Sequence, residues 1–127
     1  MTASSLDPPT SDLVAIDVQD AGSAIVVAAA GEVDSTSSPV LHRRLDDLLD
    51  AGAQEICVDL TGVSFLDSAG LCVLAAVHRR AVRDGVRLRV LASSRAVIRP
   101  LEITGLWQLL GVERVEDTVP LRQVAAG

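Results

Sequence analysis

The sequence contains no lysine and no tyrosine, and only two aromatic residues, Phe65 and Trp107. A core must therefore be built from Leu, Val, Ile and Ala, and nearly half of the 127 residues are hydrophobic (49%), enough to form one. All eleven basic residues are arginine, which reads as coding bias rather than function. They do not balance the acids: the formal net charge is −6. An acidic chain lacks the basic surface that non-specific binding to nucleic acid or to an anionic membrane requires. Long apolar runs are missing too. The longest, 24–30, is the length of a buried strand and far short of a membrane span, so no membrane insertion is expected. The first residues, Met1-Thr2-Ala3-Ser4-Ser5, carry neither a basic nor an apolar signal region, and a cytoplasmic protein is expected. Two cysteines, Cys57 and Cys72, have no CxxC or histidine spacing; burial as small hydrophobes is the simple reading of both. No GxxxxGK[ST] or GxGxxG phosphate loop is present, and no cofactor or metal is implied.

What is there is a single domain with strands and helices in alternation. Residues 1–12 are rich in Ser, Thr, Pro and Asp and read as a flexible tail before a domain over 13–127. Alternation over 13–18 and the apolar run over 24–30 predict two strands, joined at Gly22 as a hairpin. Ser37 or Ser38, with Pro39, opens a helix carrying Leu41, Leu45, Leu48 and Leu49, stopped by Gly52. A strand follows over 55–60, then a loop over 61–67, then a helix over 68–84 stopped by Gly85. A strand over 86–91 leads to a third helix, capped at Ser93 or Ser94, with Pro100 inside and Gly105 at its end. A short strand near 112–115 and a last helix opened by Thr118 and Pro120 complete the order β-β-α-β-α-β-α-β-α. That order specifies an α/β fold with a mixed, mostly parallel sheet and right-handed crossover helices.

The stretch Val63-Ser64-Phe65-Leu66-Asp67-Ser68-Ala69-Gly70-Leu71 joins a strand to a helix at the carboxyl end of the sheet, where α/β proteins place functional loops. Ser68 falls at or beside the helix N-cap. Capping is one sufficient reason for a serine there, worth roughly 1 kcal/mol. A second is a modification site: free N–H groups and the helix dipole favour an added phosphate. The residues alone leave both open.

Hydrolase chemistry has no support. His78 lies ten residues along the same helix as Ser68, about 15 Å of rise away, too far for a hydrogen bond. His42 falls on another helix and reads as a surface histidine. Trp107 reads as a packing anchor, and Arg79, Arg80 and Arg83 as a solvated helix face.

Three features in order, Gly31-Glu32-Val33-Asp34, Asp67-Ser68-Ala69-Gly70-Leu71, and Ser94-Arg95-Ala96-Val97 leading to Thr104-Gly105-Leu106, resemble a STAS domain of the bacterial anti-sigma factor antagonist type. The resemblance covers roughly 13–120. It implies a regulator that binds an anti-sigma factor with serine kinase activity and so frees a sigma factor. The kinase then phosphorylates the serine after the motif aspartate, here Ser68, and the complex dissociates; a serine phosphatase resets it. The implied partner-binding residues are Asp34, Asp67, Leu66, Ala69 and Gly70, with Asp34 matching an aspartate implicated in kinase recognition. The chain would be a kinase substrate and not an enzyme. Val63, Phe65 and Leu66 could add apolar contact, although core packing is the preferred reading of Phe65. Many members carry Ser or Thr where this chain has Ala69, which leaves Ser68 as the lone acceptor. The alternative within the resemblance is a cytoplasmic accessory subunit of a lipid-transport ABC system.

Overall fold

The structure, a computed structural model, describes residues 13–115. The tail expected over 1–12 and the helix expected near Thr118 and Pro120 lie outside the described residues. Five strands form one sheet in the order β1-β2-β3-β4-β5. They are β1 (Val14–Asp20), β2 (Ile25–Val33), β3 (Glu55–Leu66), β4 (Arg87–Ala92) and β5 (Glu113–Arg114). β1 and β2 are the expected antiparallel hairpin, and the remaining pairs are parallel. The helices are α1 (Ser38–Asp50), α2 (Ser68–Asp84), α3 (Arg95–Thr104) and α4 (Leu106–Leu110). The short α4 was not foreseen; Gly105, with φ of 80°, breaks the chain between it and α3.

The core lies between the sheet and its crossover helices. Leu41 and Leu45 of α1, Leu74 and Val77 of α2, and Val97 and Leu101 of α3 meet Val27, Ile56, Val58, Leu60 and Val90 of the sheet, all essentially buried. Aliphatic side chains thus fill the space that aromatics fill elsewhere. Trp107 is half-buried against this core, as expected of an anchor. Arg80 is not simply a solvated face residue. It pairs with Asp46 at 3.4 Å, with Asp50 and, at 3.2 Å, with Asp84, tying α2 to α1.

β3 is much longer than the 55–60 strand expected. Residues 61–66 are strand rather than loop because β2 extends to Val33 and pairs with them through Gly31↔Val63 and Val33↔Leu66. Two register shifts make this possible. At the first, a side chain on Gly62 would meet Ala30 Cβ at 3.1 Å and Ala29 O at 3.2 Å. At the second, Gly31 has φ of 110°, and a Cβ there would run into the Leu13 carbonyl. Gly62, within the stretch expected as a loop, serves close strand approach.

β3 also overhangs β4, whose pairing ends at Asp59↔Leu91. Two serines before α3 serve carbonyls of the overhang: Ser93 Oγ donates to Thr61 O at 3.4 Å and Ser94 Oγ to Val63 O at 3.2 Å. Ser94 is the N-cap residue of α3 by position, yet its hydroxyl holds the sheet instead of the helix end.

Candidate functional site

The long β2 and β3 end side by side. Their last paired residues are Val33 and Leu66, and Asp67 N–H continues the ladder by donating to Val33 O at 3.2 Å. Asp34 and Asp67 are therefore adjacent on neighbouring strand ends, where strand spacing is about 4.8 Å.

Asp67 is the N-cap of α2. Its backbone is extended, and its Oδ1 accepts from Ala69 N–H at 2.9 Å and Gly70 N–H at 3.4 Å. Its carbonyl takes Leu71 N–H at 3.0 Å. Capping thus falls to Asp67, not to Ser68. Ser68 is the first residue of α2, exposed, and its hydroxyl makes no hydrogen bond among the described residues. Neighbouring hydroxyls are employed: Ser64 Oγ donates to Gly31 O at 3.2 Å and Thr61 Oγ1 to Asp59 Oδ1 at 2.6 Å. Ser35, exposed on the adjacent loop, likewise makes no hydroxyl hydrogen bond among the described residues.

Asp67 shares the helix end that was expected to accommodate a phosphate. Asp67 already occupies the Ala69, Gly70 and Leu71 donors. Of the first-turn donors, only the Ser68 N–H has no partner among the described residues, so a phosphate on Ser68 would compete with Asp67 for the rest.

The Asp34 loop is also held from within. Asp34 Oδ1 accepts from Thr36 N–H at 2.9 Å, Thr36 Oγ1 at 2.8 Å and Ser37 N–H at 3.1 Å. The Thr36 hydroxyl, then the backbone donors, keep the carboxyl below the usual carboxylate range, so it is charged at neutral pH. Ser37 precedes α1 but does not cap it by its side chain. Its Oγ donates to Glu32 O at 2.7 Å and accepts from Asp34 N–H at 2.9 Å.

The expected partner-binding residues separate into two sets. Asp34, Asp67 and Ala69 are partly accessible beside exposed Ser68. Leu66 and Gly70 are buried: a Cβ on Gly70 would meet the Leu66 side chain and Val33 Cγ1, the latter at 2.9 Å. They set the height of the helix end. Val63 is buried as well (1% exposed), whereas Phe65, read as core, is 47% exposed. Register explains the inversion, because the shift in β3 places Phe65 opposite Glu32, which is also exposed. Cys57 is buried and Cys72 exposed, so burial accounts for only one of them; both are free thiols. His42 lies 3.4 Å from Asp46 on its own helix, and His78 is half-buried well along α2.

The chain matches known proteins over most of its length. A family model described as "Mlab, STAS domain" matches residues 16–111, and the chain belongs to the STAS domain family. A Bacillus subtilis protein named anti-sigma-B factor antagonist is 34% identical over 97 residues, 76% of this chain and 88% of that protein. The Mycobacterium tuberculosis anti-sigma-F factor antagonist RsfA is 30% identical over 121 residues, 91% of this chain and 92% of its own. The crystal structure of an anti-sigma factor antagonist from Mycobacterium paratuberculosis superposes with a TM-score of 0.75 at 26% identity, covering 93% of this chain and 97% of that one. The unphosphorylated form of the antagonist SpoIIAA shares the fold, with a TM-score of 0.69 at 18% identity over 89% of this chain and 98% of that one.

Proposed function

We propose that this protein is an anti-sigma factor antagonist of the cytoplasm, binding an anti-sigma factor that is also a serine kinase and switched off by phosphorylation of Ser68. The observation that carries the reading is the division of labour at the start of α2. Asp67 caps the helix, which leaves the Ser68 hydroxyl exposed and unengaged. The names of the relatives point the same way.

In the transfer step, Ser68 Oγ attacks the γ-phosphorus of ATP held by the kinase. The Oγ–P bond forms, the bond to the ADP bridging oxygen breaks, and the hydroxyl proton passes to a base of the kinase. A phosphatase reverses the state by hydrolysis, returning the hydroxyl and inorganic phosphate. The antagonist supplies the acceptor and the surface and performs no chemistry on another molecule.

The charge arithmetic favours release. A phosphoserine adds nearly two negative charges beside Asp34 and Asp67. Asp67 already holds the Ala69 and Gly70 donors, so the helix end offsets little of that charge. Like-charge juxtaposition across an interface costs several kcal/mol, and each ~1.4 kcal/mol is tenfold in affinity.

The test is a pull-down from host lysate with Ser68→Ala and Ser68→Glu as baits. The Ala bait is expected to retain an ATP-binding anti-sigma factor that the Glu bait loses. Equal retention of a transporter ATPase by both baits would instead identify an accessory subunit of a transport system.

A further inference from the structure

One surface next to Ser68 is not used by the switch. Phe65 and Leu66 of β3 and Pro100 and Ile103 of α3 line an open apolar groove of about 540 Å³, with Arg95 and Arg99 also in its lining. Phe65 is 47% exposed and Ile103 71% exposed, so two large apolar side chains stand in water on its walls. Pro100 has no N–H to give the Ala96 carbonyl, which leaves a backbone acceptor on a residue that also lines the groove.

Two of the chain's exposed cations lie at this groove. The chain is acidic, and Arg43, Arg80, Arg83, Arg87 and Arg89 all have carboxylate partners. Arg95 and Arg99, like Arg44 and Arg79 elsewhere on the surface, are exposed and have no ion-pair partner among the described residues; unlike those two, they flank an apolar groove. Arg114 joins them around an adjoining recess that also holds one carboxylate, Glu102, so the cations there outnumber it three to one. An acidic protein thus presents unpaired cations at the edge of its apolar groove.

We infer that this groove is a second contact for the anti-sigma factor, receiving an acidic segment of that partner that carries an aliphatic or aromatic anchor. The inference rests on the antagonist reading. Position supports it. Phe65 precedes Ser68 by three residues, about 10 Å of extended chain. An interface of ordinary size covers roughly 800 Å² on each partner, so one that engages Ser68 is large enough to reach the groove. Apolar walls fit an anchor side chain, and the two guanidinium groups fit flanking carboxylates.

The experiment is a calorimetric titration of the purified host anti-sigma factor, recovered as above, into the full-length chain and its variants. Ile103→Asp and the double variant Arg95→Glu/Arg99→Glu are each expected to weaken binding at least tenfold. The double variant should also flatten the salt dependence. Arg44→Glu/Arg79→Glu, an equal charge change on exposed residues of α1 and α2, should bind as wild type. Matching circular dichroism melts would show that the variants fold. If both groove variants bind like wild type while Ser68→Glu does not, the groove is no contact and the switch reading stands alone. If the wild-type chain binds none of the host's anti-sigma factors, both fall. If sedimentation shows a wild-type dimer that Ile103→Asp dissolves, the groove belongs to a second copy of this chain.

Discussion

Asp67 and Ser68 are adjacent in the chain and should respond to substitution in opposite ways. Asp67→Ala removes the acceptor for two N–H groups of α2 and should cost about 1 kcal/mol in urea unfolding. Ser68→Ala removes an exposed hydroxyl with no partner and should change stability by no more than about 0.5 kcal/mol. A large loss from Ser68→Ala would mean the hydroxyl is structural after all. Gly70→Ala drives a methyl group into Leu66 and Val33 and should cost about 1–3 kcal/mol by overpacking. Unchanged stability there would show that the helix end is free to lift. At this scale the sequence was only half legible. It marked Asp67 and Ser68 as a pair, but which side chain capped the helix was a matter of rotamer and backbone angle. Phe65 was misread because its exposure depends on a one-residue register shift, and such a slip exchanges the two faces of a strand.

Elements carry the next level of the account. α2 presents Ser68 and Cys72 at i and i+4, both exposed, so they share one face. A maleimide should label one thiol of the native protein and two in urea, because Cys57 is buried and its burial also pushes the thiol pKa up. The adduct on Cys72 should block anti-sigma factor binding as Ser68→Glu does. Full binding by the labelled protein would place the interface elsewhere on α2. Helix positions were readable because leucine spacing and the stops Gly52 and Gly85 are local signals. The length of β3 was not readable: it depends on β2 running on to Val33, a pairing between residues some thirty positions apart. Ser93 and Ser94 looked like caps for the same reason, since the carbonyls they serve lie on that overhang.

The whole molecule is acidic, and its charges are arranged to hold the fold as well as to meet a partner. Asp34, Asp84 and Glu113 are all kept below their ordinary pKa values, chiefly by donors from Thr36, Arg83 and Arg89 respectively. Such groups bind protons less readily folded than unfolded. Their stabilisation is complete above the ordinary carboxylate range and is lost as pH falls through the depressed values. Cys57 has the opposite sign: its raised pKa gives stability below the ordinary thiol range that is lost as pH rises. Urea midpoints should therefore be level from about pH 5 to 8 and fall on both sides. A midpoint that rose on acidification below pH 4 would contradict this. The order of elements and the family were legible at this scale because alternating strands and helices leave few topologies.

The switch itself is tested most directly by phosphorylation. The recovered anti-sigma factor and ATP should add one phosphate to the chain, mapped by mass spectrometry to Ser68, and the phosphorylated chain should no longer bind. Ser68→Ala should accept none and stay bound. Phosphate on Ser35, or a Ser68-phosphorylated chain that binds as tightly as before, would contradict the account.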